Sequence, residues 1–471
     1  MKKRKRIPLL GMALCLISVL NLTACKSKPV TAEQSATAPE KTAASPQSDT
    51  FTAFTTALHE KISAHWPHMN KVWPAYDYNN HNLVLFQLTD EGNVSEAVLI
   101  NTRERRLLEK SEYETIVPPM DDGYEEIKFD GKPSIAMSVT QQSMSKKNAV
   151  DLTYRVATHE IVHFYYQGDA MFSTDGENRA QNLPLEKTPR LYRQMIYQSL
   201  INAYDTPGDD QEHLGRAKYW LEKWKSEFSK EYEDIKSTDI AESTARYSDN
   251  LSTLVTADST AVDLYQGANK DIMRSKIFYS ADDESYEIGF VAGLLLDRHL
   301  PGWKDSFYKS RLTAEELLLK DVPAVPDHMD PEMEAKVSSA IDSYNAKSIA
   351  AIQDLADAKK DISVPYLKID TTASTSSMMA AGVVRYDGDQ ITLEYSNQFK
   401  AGGKSIEFHQ ANVIDSVDHE GNQFLYIPLP MISTAKGDIL TVDTKKLKVD
   451  SVKVSTHTED GRTIYFVKAD E

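Results

Sequence analysis

The chain has 471 residues and a formal net charge of −17, with 70 acidic against 53 basic side chains. So acidic a protein lacks the basic surface that nucleic acid, or a polybasic grip on anionic lipid, requires. Its only two cysteines, Cys15 and Cys25, both lie near the start of the chain, so no disulfide staples the rest, and stability must come from burial, which a chain of this length can supply.

Lys2 to Arg6 are all basic and Ile7 to Ala24 carries no charge, the pattern of a secretory signal. It ends in Leu22-Thr23-Ala24-Cys25, which resembles the lipobox of bacterial lipoproteins. That resemblance implies a signal peptide over residues 1–24, cleavage before Cys25, acylation of Cys25 (a palmitate-type lipid) and anchoring to the bacterial cell membrane outside the cytoplasm. Cys15 follows Leu14, too large for the position before the cut. The other reading, an uncleaved membrane anchor, places the folded part on the same side. Loss of Lys2 to Arg6 with the signal lowers the charge by five, to −22. Residues 25–50, rich in Ser, Thr, Ala, Pro and Lys, read as a flexible tether.

Phe51 to about Trp66 has Phe51, Phe54, Leu58 and Ile62 on one helical stripe. Asn82 to Leu88 reads as a strand, Asp90-Glu91-Gly92-Asn93 as a turn, Glu96 to Asn101 as the returning strand and Pro133 to Val139 as a further strand. His59, His65, His68 and His81 have no ligand-like spacing. Asn148 to Gln167 holds no Pro or Gly, and its apolar positions suit a mostly buried helix started by Asn148 or Asp151 and ended by Gly168. Within it lies His159-Glu160-Ile161-Val162-His163. On a helix the two imidazoles stand one turn apart on one face and can reach one metal ion, while Glu160 sits beside them, placed to take a proton from water. A buried helix with two satisfied histidines is the competing reading.

Two histidines leave a catalytic zinc short of a third protein donor. The motif, preceded by a small sheet, resembles the zincin metallopeptidases, whose edge strand holds a peptide extended beside the metal. In the gluzincin branch the third donor is a glutamate on a later helix, and Asp239-Ile240-Ala241-Glu242-Ser243-Thr244-Ala245-Arg246-Tyr247 is similar to the Glu-Gly-x-Ala-x-Tyr segment of such families, with Ser243 in place of glycine. The resemblance implies a zinc site of His159, His163 and Glu242 with Glu160 as general base. It departs in the step of 79 positions from His163 to Glu242 and in Arg246, where thermolysin-like members carry a histidine-orienting aspartate. Glu242 also follows Asp239 at capping-box spacing, so a helix-start role competes. Asp169, by the metzincin pattern, and Asp263, by the aspzincin pattern, are rival donors; Tyr166 stands where metzincins need glycine.

Between motif and glutamate, Pro189 to Tyr204 and Asp209 to about Tyr232 read as a helical hairpin turned by Thr206-Pro207-Gly208. Ser285 to Arg298 reads as an apolar helix whose Gly289 and Gly293 ask for a closely packed neighbour, either the motif helix or the Glu242 helix. Tyr286 and Tyr247 are candidates to face a developing oxyanion. Thr313-Ala314-Glu315-Glu316 opens a capped helix, and Pro331 to about Lys359 a long charged one. From about 361 the pattern changes to short strands, including Val383 to Tyr386, Gln390 to Tyr395, Ser405 to His409 and Thr463 to Val467.

The expected fold is α+β: a mostly helical zincin-like metallopeptidase domain with a small N-terminal sheet over 51–360, then an all-β accessory sandwich or barrel over 361–471. The expected function is zinc-dependent hydrolysis of peptide bonds in a peptide or protein substrate, with no nucleic-acid partner; the oligomeric state is open. The alternative is a non-catalytic lipoprotein on a zincin scaffold whose β domain binds cell-envelope material or a protein partner.

Overall fold

The computed structural model describes residues 46–89, 92–119, 121–168, 181–279, 281–374, 380–429 and 434–470. The signal segment, Cys25, nearly all of the tether, and the rival donor Asp169 lie outside them. The architecture is α+β, with a small sheet early in the chain, helices through its middle and a larger sheet late. No described helix is long and apolar enough to cross a membrane.

The opening helix, Pro46–His65, buries Phe51, Phe54, Leu58 and Ile62 along one stripe. Beside it stands a five-stranded sheet of β1 (Asn82–Leu88), β2 (Val94–Ile100), β3 (Arg105–Leu107), β4 (Tyr124–Phe129) and β5 (Lys132–Thr140), in the order β3-β2-β1-β5-β4. β1 is buried throughout and runs parallel to β5, while the other pairs are antiparallel. β4 is therefore an edge strand antiparallel to its neighbour. Its alternation sends Tyr124, opposite Met137, toward the main helical core, and Ile127 and Phe129 toward the other face.

After β5 comes the histidine helix, Ala149–Tyr165, entered through Asn148 in the left-handed region. The hairpin follows as Lys187–Asp205 and Gln211–Glu227. Its second helix ends earlier than the sequence suggests: the chain breaks at Phe228, with φ −127° and ψ 46°, and then forms the glutamate helix, Ser229–Ser252. No Gly or Pro occurs from Arg216 to Ser252, so nothing local marks the break. The glutamate helix thus starts ten residues before Asp239, which is not its cap. Asp239 is buried in mid-helix and accepts a bidentate pair of hydrogen bonds from Arg193 of the hairpin at 2.7 and 3.0 Å.

The glycine helix, Ala281–His299, is the close neighbour that Gly289 and Gly293 require. A Cβ at Gly289 would stand 1.9 Å from Cβ of Ser243, and one at Gly293 2.6 Å from the Tyr247 ring. The tight partner is therefore the glutamate helix, and Ser243 and Tyr247 lie one and five residues after Glu242.

The expected long helix after Pro331 is two, Pro331–Ala351 and Gln353–Lys360, separated at Ile352. Beyond them strands from Tyr366–Asp370 to Arg462–Lys468 form the larger sheet. It is not built from C-terminal residues alone. Gln181–Leu183, just upstream of the hairpin, pairs in parallel with Gly382–Tyr386, and helix Gln353–Lys360 packs Leu355 and Ala358 onto one face of the sheet. The Arg462 guanidinium donates to the carbonyls of Lys359, Asp361 and Val364, tying that helix end to the last strand.

Candidate metal centre

The histidine helix is fixed at Thr158, the residue just before its motif. Trp66 Nε1 donates to Thr158 Oγ1 at 2.9 Å, and the Tyr78 hydroxyl donates to the Thr158 carbonyl at 2.7 Å. These bonds set the rotation of the turn on which His159 and Glu160 sit, both buried.

His159 Nε2 and His163 Nε2 face each other at 3.0 Å, and Oε2 of Glu242 lies 3.2 Å from each. The helix that Arg193 and the two glycines hold against its neighbours thus brings Glu242 to the histidines across 79 residues of sequence. Glu160 is also near: candidate ligand atoms of His159, Glu160 and His163 lie within 4.8 Å of one another. Tyr124 of β4 stands near the Glu160 carboxylate and favours its charged form, whereas Glu242 points between the imidazoles. On this geometry Glu242 stands where a third donor could complete the pair, with Glu160 beside it.

The outer nitrogens explain the inner ones. Asp249 Oδ2 lies 3.0 Å from His159 Nδ1, so Nδ1 is the nitrogen that keeps its proton in the neutral ring and Nε2 is the one a metal would take. His163 Nδ1 donates to Gln167 Oε1 at 2.9 Å, with the same result. Two imidazole nitrogens and a carboxylate oxygen therefore converge with separations of 3.0 to 3.2 Å. Around a tetrahedral zinc, donors at about 2.0–2.1 Å stand roughly 3.3 Å apart. The donor set fits a zinc-type ion.

Electrostatics bear the marks of crowding. Burial alone would lower the His159 imidazole, but its bonds to Asp249 and Glu242 and the charge of Glu160 push it up to about 10. His163 is raised as well, burial being overcome chiefly by the charge of Glu242. Burial raises Glu160, against the pull of both histidines. Asp249 goes the other way: burial would raise it, but Arg246, His159 and Arg155 hold it below the ordinary range. Arg155 lies 3.1 Å and Arg246 3.6 Å from its Oδ1.

Sequence reasoning missed Asp249, Gln167 and Tyr124. Asp249 is seven residues after Glu242 and Gln167 four after His163, spacings that put Asp249 on the helix face of Glu242 and Gln167 beside His163. Arg246, where an orienting aspartate is familiar, instead bridges Asp249 and Glu287. Among the oxyanion candidates, the half-buried ring of Tyr286 lies 5.7 Å from that of His159, while the Tyr247 hydroxyl is bound to Asp297 and Lys304. Asp263 is exposed and caps a short helix with Thr260, apart from the centre.

Comparison of the chain with protein-family models, with curated proteins and with solved structures found no match.

Proposed function

We propose that this chain is a zinc metallopeptidase of the zincin type, gluzincin-like in its donor set, exported and held to the membrane by lipid on Cys25. The observation that carries the reading is the placement of Glu242 Oε2 at 3.2 Å from Nε2 of both His159 and His163. Zinc held there supplies a Lewis acid that polarises water and the scissile carbonyl. The chain's own groups do the rest. A peptide adds in extended form along the open edge of β4. Asp249 and Gln167 keep both imidazoles aimed. Glu160, poised by Tyr124 and with its proton affinity raised by burial, takes a proton from the attacking water and delivers it to the leaving amine. Tyr286 is the phenol nearest to stabilise the developing oxyanion. The larger sheet serves as an accessory module.

The test is zinc content together with cleavage of a mixed peptide pool. Wild-type protein should carry one zinc per chain and cut; Glu160→Gln should retain zinc and lose cleavage. A fully active Glu160→Gln protein would sink the reading. Protein that neither carries nor takes up metal would point instead to a non-catalytic lipoprotein whose β module binds cell-envelope material or a partner.

A further inference from the structure

We propose that Gln167 is a positioning residue which aims His163 and, in the same act, clamps the histidine helix to the glutamate helix, so that the three donors are assembled before any cation arrives; this rests on the metal-centre reading above. Gln167 is buried, in the turn just beyond the histidine helix. Its amide nitrogen donates to the carbonyl of Ala241 at 2.6 Å and to Thr244 Oγ1 at 3.0 Å. Because a carbonyl oxygen can only accept, this fixes which end of the carboxamide is which, and leaves Oε1 to accept from His163 Nδ1. The Tyr308 hydroxyl donates to the same Thr244 oxygen at 3.0 Å, which holds that acceptor in place.

Ala241 and Thr244 flank Glu242, and Asp249 lies further along the same helix. Both histidines are thus referenced to the element that brings the third donor, one through a carboxylate and one through a neutral amide. The neutral choice has a physical reason. The centre already gathers Glu160, Glu242 and Asp249, and a further buried charge would need a partner of its own. An amide also offers what a carboxylate does not, a donor for the Ala241 carbonyl, which makes orientation and clamping inseparable.

The experiment compares Gln167→Met, which keeps the volume and removes every hydrogen bond, with Gln167→Glu, which still accepts from His163 but loses the amide donor. Zinc affinity, by chelator competition, should fall about 10- to 100-fold in the Met variant and by a smaller but measurable factor in the Glu variant, which keeps the aim on His163 and loses the clamp, and the cobalt-substituted Met variant should show an altered visible spectrum. In metal-free wild-type protein the His163 Nδ1 proton should give a slowly exchanging downfield resonance that the Met variant lacks. Wild-type affinity and spectrum in the Met variant would overturn the proposal. Equal loss in both variants, or failure of both to fold, would make Gln167 a structural bridge only and overturn it too. Absence of the downfield resonance in wild type overturns it whether or not zinc binds, whereas wild-type protein that takes up no zinc but shows the resonance contradicts only the metal reading.

Discussion

Asp249 holds His159 from seven residues beyond Glu242 on the same helix, with its Oδ2 3.0 Å from Nδ1 of the imidazole. Two helical turns separate donor and orienting group, so one rigid element both completes the centre and aims a histidine supplied by another. Replacing Asp249 by Asn keeps the shape but weakens the acceptor and leaves Arg155 and Arg246 facing a neutral group. Zinc affinity should fall about tenfold or more, read by competition with a chromogenic chelator; an unchanged affinity would remove Asp249 from the account.

Tyr124 links the edge strand proposed to hold substrate with Glu160, the proposed base. It stands at the start of β4, close enough to the Glu160 carboxylate to favour its charged form. Tyr124→Phe should leave zinc bound and KM little changed while kcat drops about tenfold, the worth of one hydrogen bond to a charged group. Steady-state kinetics on a peptide cut by wild type measures the split, and an effect confined to KM would assign Tyr124 to substrate binding instead.

Close approach of the glycine and glutamate helices sets where Glu242 can lie. Gly289→Ala puts a methyl group where Ser243 already stands. The helices must part, at a cost of about 1–3 kcal/mol, and zinc affinity should fall along with the thermal midpoint. Loss of stability without loss of zinc would show that the separation does not govern the site.

Arg193 is the only guanidinium in contact with Asp239 among the described interactions, and it also meets Glu284 and Glu315. All four groups are buried. Arg193→Met leaves three carboxylates around an uncharged side chain and should destabilise by about 3–5 kcal/mol, measurable by urea unfolding.

The same cluster predicts the pH dependence of stability. Burial pushes the Glu284 carboxyl up to about 8, from 4.5 when unfolded. Between these values the folded chain holds a proton that the unfolded chain has lost, so this contribution to stability is fully present below about 4.5 and is lost as pH rises through 8. Urea midpoints of metal-free protein should therefore decline from pH 5.5 to 8.5; a midpoint rising across that window would contradict the assignment.

What was legible in the sequence was whatever is local or periodic. The His159 to His163 spacing, the buried stripe from Phe51 to Ile62, the strands around Asn82 to Leu88 and the need of Gly289 and Gly293 for a close neighbour all follow from a few adjacent residues. Glu242 was reached only through a family resemblance. Asp249 and Gln167 were not reached at all, because their roles depend on which helix packs against which, and that is settled by distant groups such as Arg193. The break at Phe228 was hidden for a related reason: with no Gly or Pro to mark it, it is fixed by packing. Gln181–Leu183 is too short to show a period, and only its pairing with Gly382–Tyr386 makes it a strand.

The most direct test of the central claim is an anomalous difference map at the zinc edge from crystals of protein purified without added chelator. The account predicts one peak per chain bonded to His159 Nε2, His163 Nε2 and a carboxylate oxygen of Glu242, at about 2.0–2.2 Å. No peak at the histidine pair after zinc loading, or a peak completed by a carboxylate other than Glu242, would contradict it.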